Sequence, residues 1–330
     1  MKAATDRFEL VTAPSGADSE DLGAAVLAGL GTEPKSLPSR FLYDEPGNRF
    51  FERICELPEY YLTRVERELL DRNAAAVAAG FQGAIDIVEF GSGTAEKTEH
   101  LLAAFFQGGR DVRYVPVDIC REVLVASAER LLADFPKLSI MALEAEYEAG
   151  LGLLAARARG RKLVCWLGSS IGNLERADAG RFLARVREWL GPDDRFLLGV
   201  DLRKGKAVLE AAYDDSQGVS AAFNQNLLER VNKELGGRFQ LDAFDYEAVY
   251  DDVRGCVEMS QVSRYDQAVR IEALERSFTF AAGEKILIEV SVKYSETELD
   301  VLGRQGGFER ERIWRDPGAG YALVLLRPVP

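Results

Sequence analysis

Between residues 85 and 202 short apolar runs alternate with amphipathic stretches, the rhythm of a parallel sheet joined by crossover helices. IDIVEF (85–90) predicts a first strand that leads through GSGTAEK into a helix. VRYVPVD (112–118) predicts a second strand, REVLVASAERLLADF (121–135) a helix, and LSIMALEA a short third strand. KLVCWLG (162–168) is an unbroken apolar run, as expected of a central strand covered on both faces. ERADAGRFLARVREWL predicts an amphipathic helix and DRFLLGVDL (194–202) the next strand. Beyond about residue 203 the rhythm breaks: helical stretches (KAVLEAAYDD, VSAAFNQNLLERVNKELGG) precede extended, alternating ones such as CVEMSQVSRYDQAVRIEAL. IWRDPGAGYALVLLRP predicts a terminal antiparallel hairpin. This order predicts an α/β core of residues 66–202 and 291–330, interrupted after its fifth strand. Residues 17–65 and 203–290 would form a second, α+β lobe, and residues 1–16 a flexible N-terminus.

Composition narrows the chemistry. The chain has 330 residues, 47% apolar and 29% charged, an ordinary globular balance with a net charge of −13. That charge argues against nucleic acid as a partner, because phosphate-backbone sites need clustered Lys and Arg. No apolar run approaches the about 20 residues that span a bilayer, so no membrane partner is expected. The N-terminal stretch is acidic and lacks a secretory apolar segment. The four cysteines are widely spaced without a CxxC pair, which suits free thiols and a cytoplasmic location. His100 is the only histidine and sits in a helical stretch, TAEKTEHLLAAFF. Histidine-based triads and most zinc sites are thereby disfavoured, and no metal site is expected. Proton handling falls to carboxylates, tyrosines or water.

The first chemical motif is VEFGSGTAEKT, a strand ending on an acidic residue, then a glycine turn, then a helix. Gly91 and Gly93 would let backbone approach a ligand where side chains would clash. The turn lacks the third glycine of the dinucleotide fingerprint, and alone it is also compatible with a ligand-free βα turn. Asp118 ends the second strand 25 residues after Gly93, near the spacing at which a carboxylate meets a ribose diol; capping the next helix is its other reading. Turn and carboxylate together favour a nucleoside. The terminal hairpin and the short GSGT loop favour S-adenosylmethionine over a dinucleotide.

Several longer strings resemble one family, the histidine-specific N-alpha-methyltransferases of ergothioneine biosynthesis. They are LPSRFLYDEPGNRFFERICELPEYYLTRVE, VEFGSGTAEKT, LGSSIGNL, LRKGKAVLEAAYDDSQGVSAAFNQNLLERVN, VEMSQVS and ILIEVSVKYS, running from about residue 35 to 295. The resemblance implies a class I methyltransferase Rossmann-like sheet with a C-terminal antiparallel hairpin, plus a substrate-binding lobe. It implies that S-adenosylmethionine, as co-substrate, is held by Gly91, Lys97 and Asp118, with Glu146 and Tyr147 flanking the adenine. The family commonly has Asp-Phe at that last pair, so Glu146-Tyr147 is a departure. The implied amino-acid site has Asn173 and Tyr213 on the carboxylate, Glu289 and Ser291 on the imidazole nitrogens, and Met259 against the ring. Tyr60 or its neighbour Tyr61 would close over the substrate, and Tyr43 would stand near the amine as the candidate catalytic residue.

Each of these positions also has a plainer reading. Lys97 could be merely solvated in a first helical turn, and Met259 could be core packing. Tyr213 could be an exposed amphipathic side chain. Glu289 and Ser291 alternate with Ile288, Val290 and Val292, the pattern of a half-buried strand's wet face. Asn173 follows a buried strand, where α/β sheets bind ligands. The implied function is methylation of the α-amine of free L-histidine to the trimethylated betaine by a monomeric enzyme. Methylation of another free amino acid such as tryptophan is the alternative; a silent adenosine-binding scaffold and a protein-modifying methyltransferase are the rivals from further afield.

Overall fold

A computed structural model describes residues 6–13, 21–157, 159–318 and 320–329. In chain order the strands are β1 (Phe8–Thr12), β2 (Lys35–Ser36), β3 (Ala84–Phe90), β4 (Asp111–Asp118), β5 (Ser139–Glu144), β6 (Arg161–Trp166) and β7 (Arg195–Asp201). They continue as β8 (Phe244–Asp251), β9 (Cys256–Ser263), β10 (Gln267–Ile271), β11 (Arg276–Phe280), β12 (Lys285–Val292), β13 (Phe308–Asp316) and β14 (Tyr321–Pro328). The chain divides into two compact units. The first draws on the described parts of Met1–Gly16, Leu62–Arg203 and Tyr294–Pro330; the second draws on those of Ala17–Tyr61 and Lys204–Lys293.

The first unit is built on one eight-stranded sheet of order β1-β5-β4-β3-β6-β7-β14-β13. Strands β1 and β3–β7 pair in parallel, while β14 runs antiparallel to β7 and β13 antiparallel to β14. The continuous apolar runs read in the sequence become these central strands: every residue from Leu163 to Trp166 is fully buried. The order turns back at β3, whose successor β4 lies on one side and β6 on the other, so ligand chemistry is expected at the carboxyl ends of β3 and β6. The parallel sheet and the antiparallel hairpin at the end of the described chain are the arrangement expected from the sequence. His100 lies on the helix Thr98–Gln107, partly exposed, with Nδ1 3.2 Å from Asp71.

Two expectations change. The N-terminal stretch read as flexible contributes β1, which extends the sheet beside β5 and is held there by Arg7 donating to the carbonyls of Phe135, Leu138 and Leu132. Residues 1–5 and 14–16 of that stretch lie outside the described residues. The lobe boundaries also move: the first unit starts again at Leu62 rather than 66, runs to Arg203 rather than 202, and resumes at Tyr294 rather than 291, so all of β12 belongs to the second unit. The reason is pairing, since β12 is hydrogen-bonded to β9 and β2 in a separate sheet.

That second unit holds the four-stranded sheet β2-β12-β9-β8 and the hairpin β10-β11, with the helices Leu22–Leu30, Glu45–Glu56, Lys206–Tyr213 and Val219–Leu235. Its core includes Leu209, Ala248, Tyr250, Val257 and Met259, with Tyr213 and Tyr246 packed against them. The pairing of β12 with β9 shifts register between Leu287 and Glu289, a bulge that re-aims the side chains following it.

Candidate active site

The glycine turn after β3 is shaped from both sides. Gly91 and Gly93 have φ of 65° and 49°, a region that suits residues without a Cβ. A Cβ on Gly91 would stand 2.8 Å from the Tyr147 hydroxyl, whereas one on Gly93 would meet nothing within 4 Å, so the turn is open on that side. Asp118, at the end of β4, accepts from the Gly93 N–H through Oδ2 and from the Cys120 N–H through Oδ1, both at 3.0 Å. The following helix starts at Arg121 with Cys120 as its N-cap residue, so Asp118 braces the turn instead of capping the helix. Desolvation raises the Asp118 carboxyl above its ordinary range, with the backbone N–H groups of Cys120 and Gly93 pulling the other way. Ser92 is 7% exposed and its hydroxyl is a buried polar atom with no hydrogen-bond partner among the described residues. An open glycine cradle, a desolvated carboxylate and an orphaned hydroxyl are the features a nucleoside-bearing cofactor requires, and S-adenosylmethionine fits them.

The expected adenine pair behaves unevenly. Glu146 is exposed at the start of the helix Tyr147–Arg157. The ring of Tyr147 turns inward and lies against Phe90, Trp166 and Phe182, with centroids 5.7, 5.4 and 5.8 Å away. Burial pushes its phenol up to about 12, so it remains a protonated donor beside Gly91. Lys97 is not merely solvated: its ammonium pairs with the fully buried Glu66. Glu66 also accepts from the Gly168 N–H at 2.8 Å and from the Tyr321 hydroxyl at 2.7 Å. One carboxylate thus ties the helix Tyr61–Ala78 to the loop after β6, to β14 and to Lys97. In that loop Ser169 adopts a left-handed backbone (φ 58°), and its hydroxyl accepts from the buried Asp201 N–H at 3.0 Å. Asn173 closes the short helical turn Ser170–Asn173 and is exposed. Glu89, on β3, accepts from Thr98 at 2.6 Å and from Tyr114, and desolvation raises its carboxyl to about 7.

In the second unit most of the expected amino-acid residues do come together. Asp44 caps the helix Glu45–Glu56 by accepting from Gly47 N–H at 2.9 Å, and Asn226 donates to the same oxygen at 2.8 Å. That anchor fixes Tyr43 immediately before it, whose ring meets Phe51 and Phe223 edge-on at 5.7 and 5.5 Å. Tyr60 is buried, edge-on to Tyr213 at 6.0 Å, and burial lifts its phenol well above 10. Tyr61 instead receives the Lys204 ammonium, so of the two neighbours it is Tyr60 that faces Tyr213. Tyr213 ends its helix, with its carbonyl accepting from the Tyr246 hydroxyl at 2.6 Å and its own hydroxyl 2.9 Å from Ser291 Oγ.

Ser291 is 3% exposed, which removes the wet-face reading for it. Glu289, two residues earlier, is partly buried, and among the described residues no hydrogen-bond donor reaches its carboxylate. Desolvation raises it to about 7, with Lys293 acting in the opposite sense. Met259 pairs across the sheet with Glu289 but is 1% exposed within the core under Tyr213 and Tyr246. Its place is core packing, so a part in ligand binding would be as support for those rings. Two residues of consequence were not read from the sequence. Glu66 looks like any acidic position of an amphipathic helix. Lys293 looks like a solvated strand end, although its spacing of four from Glu289 placed it on the same strand face.

A family described as histidine-specific methyltransferase, SAM-dependent, matches residues 22–328. A histidine N-alpha-methyltransferase of Mycolicibacterium smegmatis is 40% identical over 307 residues, covering 93% of this chain and 95% of that protein. A protein of the same name from Mycobacterium tuberculosis is 39% identical over 91% of this chain and 92% of its own length. Ergothioneine biosynthesis protein 1 of Neurospora crassa is 34% identical over 89% of this chain, which spans 33% of that longer protein. The chain belongs to the histidine-specific, S-adenosylmethionine-dependent methyltransferase family.

Proposed function

We propose that the protein methylates the α-amine of free L-histidine to N,N,N-trimethylhistidine, the first step of ergothioneine biosynthesis, as a cytoplasmic monomer. The observation that carries the reading is the Glu289–Ser291 pair: a desolvated carboxylate with no hydrogen-bond donor among the described residues, and a buried hydroxyl two residues along the same strand. A neutral imidazole has one N–H and one bare nitrogen on separate edges, which suit an acceptor and a donor so placed. Tyr213, beside Ser291, is suited to the amino-acid carboxylate, and Asn173 is assigned to that same group by the family resemblance. The free thiols and the absence of any helix long and apolar enough to cross a membrane, among the described residues, agree with the assigned location.

When bound, S-adenosylmethionine supplies an electrophilic methyl on a sulfonium. Gly91, Gly93, Lys97 and Asp118 would hold it, with Asp118 on the ribose hydroxyls and Tyr147 near the adenine. The amine must present a free lone pair, so a proton has to leave it before each transfer. Tyr60 remains a phenol throughout the neutral range, because burial holds it well above 10; it positions the substrate and does not take the proton as a phenolate. Tyr43, held by the capped helix that follows it, is the residue assigned to the amine, with water carrying the proton away. Alignment of the amine supplies most of the rate enhancement.

Tryptophan fits less well. Indole offers one donor and no acceptor, so the hydrogen bond that Ser291 would give to a bare ring nitrogen, worth about 0.5–1.5 kcal/mol, would be lost. Incubation with labelled cofactor and a panel of free amino acids tests the reading: label should enter histidine, and preferential labelling of tryptophan or of protein would reject it.

A further inference from the structure

Lys293 is fully buried, an unusual place for an ammonium, and it lies just beyond the end of β12. Its Nζ donates to Tyr213 Oη at 2.6 Å and to Ser291 Oγ at 2.9 Å, and it stands 4.5 Å from the centroid of the Tyr213 ring. Tyr213 Oη and Ser291 Oγ are themselves 2.9 Å apart, so the three groups form a closed triangle.

We infer that Lys293 is a positioning residue for substrate specificity, which makes Tyr213 and Ser291 present hydrogens to the amino acid and selects a neutral imidazole. An ammonium has only hydrogens to give and accepts nothing, so each hydroxyl must turn a lone pair toward it. Each hydroxyl keeps a single hydrogen. The contact between them can use one of the two, so at least one must point out of the triangle, and a ligand that accepts from both frees both. On this geometry Ser291 offers a hydrogen to a bare ring nitrogen while Glu289, two residues before it, accepts from the opposite N–H. A protonated imidazole has no bare nitrogen for Ser291, and it would add a second positive charge close to the Lys293 ammonium. Tyr213, polarised in the same way, offers its hydrogen to the substrate carboxylate. The inference rests on the histidine reading above and adds to it the group that sets the direction of its hydrogen bonds.

The test is a comparison of Lys293→Met with Lys293→Gln. Methionine keeps length and apolar bulk without a donor, whereas glutamine restores donor hydrogens without charge. Lys293→Met should raise the histidine KM about ten-fold or more with a much smaller change in kcat. Lys293→Gln should recover most of that loss. S-adenosylhomocysteine affinity, measured by calorimetry, should match wild type in both. In a double-mutant cycle Lys293→Met should add little once Ser291→Ala and Tyr213→Phe are in place. An unchanged histidine KM in Lys293→Met, or full additivity in the cycle, would overturn the inference. So would parallel loss of S-adenosylhomocysteine binding, which would mark Lys293 as a folding residue. Failure of the wild-type chain to methylate histidine would instead defeat the underlying reading, so the two failures are told apart.

Discussion

Replacing Glu289 with Gln should move stability and substrate affinity in opposite directions. In the folded protein desolvation lifts this carboxyl from 4.5 to about 7. A raised acid contributes stability that is fully present below pH 4.5 and is lost as pH rises through about 7. That rise sets a ceiling of about 3–4 kcal/mol above pH 7. The realised gain is smaller, because the variant also removes the charge that partners Lys293. Glu289→Gln should therefore melt several degrees higher than wild type at pH 8, with the difference vanishing near pH 4.5. The same change weakens a charge-assisted hydrogen bond to the imidazole, worth about 1.5–3 kcal/mol, so the histidine KM should rise ten-fold or more. Glu289→Ala should raise it further. Thermal unfolding across pH and steady-state kinetics read the two effects separately. A lower melting temperature at pH 8 together with an unchanged KM would refute both the desolvation argument and the ligand role.

Three further outcomes are expected. Asp118→Ala removes the acceptor for Gly93 N–H and the group assigned to the ribose, so S-adenosylhomocysteine should bind more weakly by about ten-fold or more in calorimetry, and unchanged binding would remove Asp118 from the cofactor site. Glu66→Gln removes the Lys97–Glu66 ion pair and turns an amide against Gly168 and Tyr321, which should cost about 3 kcal/mol in denaturant unfolding; a loss under about 0.5 kcal/mol would contradict the buried network. Tyr60→Phe should lower activity without altering the shape of the pH–rate profile between pH 7 and about 9, since the phenol does not ionise there, whereas loss of a basic limb would show that it does.

How much of this could be read from the chain follows from where each signal is stored. The central strands were legible because burial on both faces demands unbroken apolar runs, as in the segment around Val164 and Cys165. The glycine turn and Asp118 were legible because backbone approach restricts residue type at fixed spacing. Strand β1 was not, since FELVT is too short and too mixed to show which edge it joins, and its pairing partner lies more than a hundred residues away. Glu66 and Lys293 were missed for one shared reason. Their burial is created by contacts distant in sequence, Gly168 and Tyr321 for the first and Tyr213 for the second, while local pattern assigns charged residues to the surface. Met259 shows the reverse: the family resemblance implied a contact with the substrate ring, whereas Met259 lies in the core against which Tyr213 and Tyr246 pack.

The central claim is that free histidine is the methyl acceptor, and mass spectrometry of the small-molecule products tests it most directly. With S-adenosylmethionine and equal amounts of histidine and tryptophan, the account expects histidine to gain one, then two, then three methyl groups while tryptophan stays unmodified. Methylated tryptophan with unmodified histidine would contradict it.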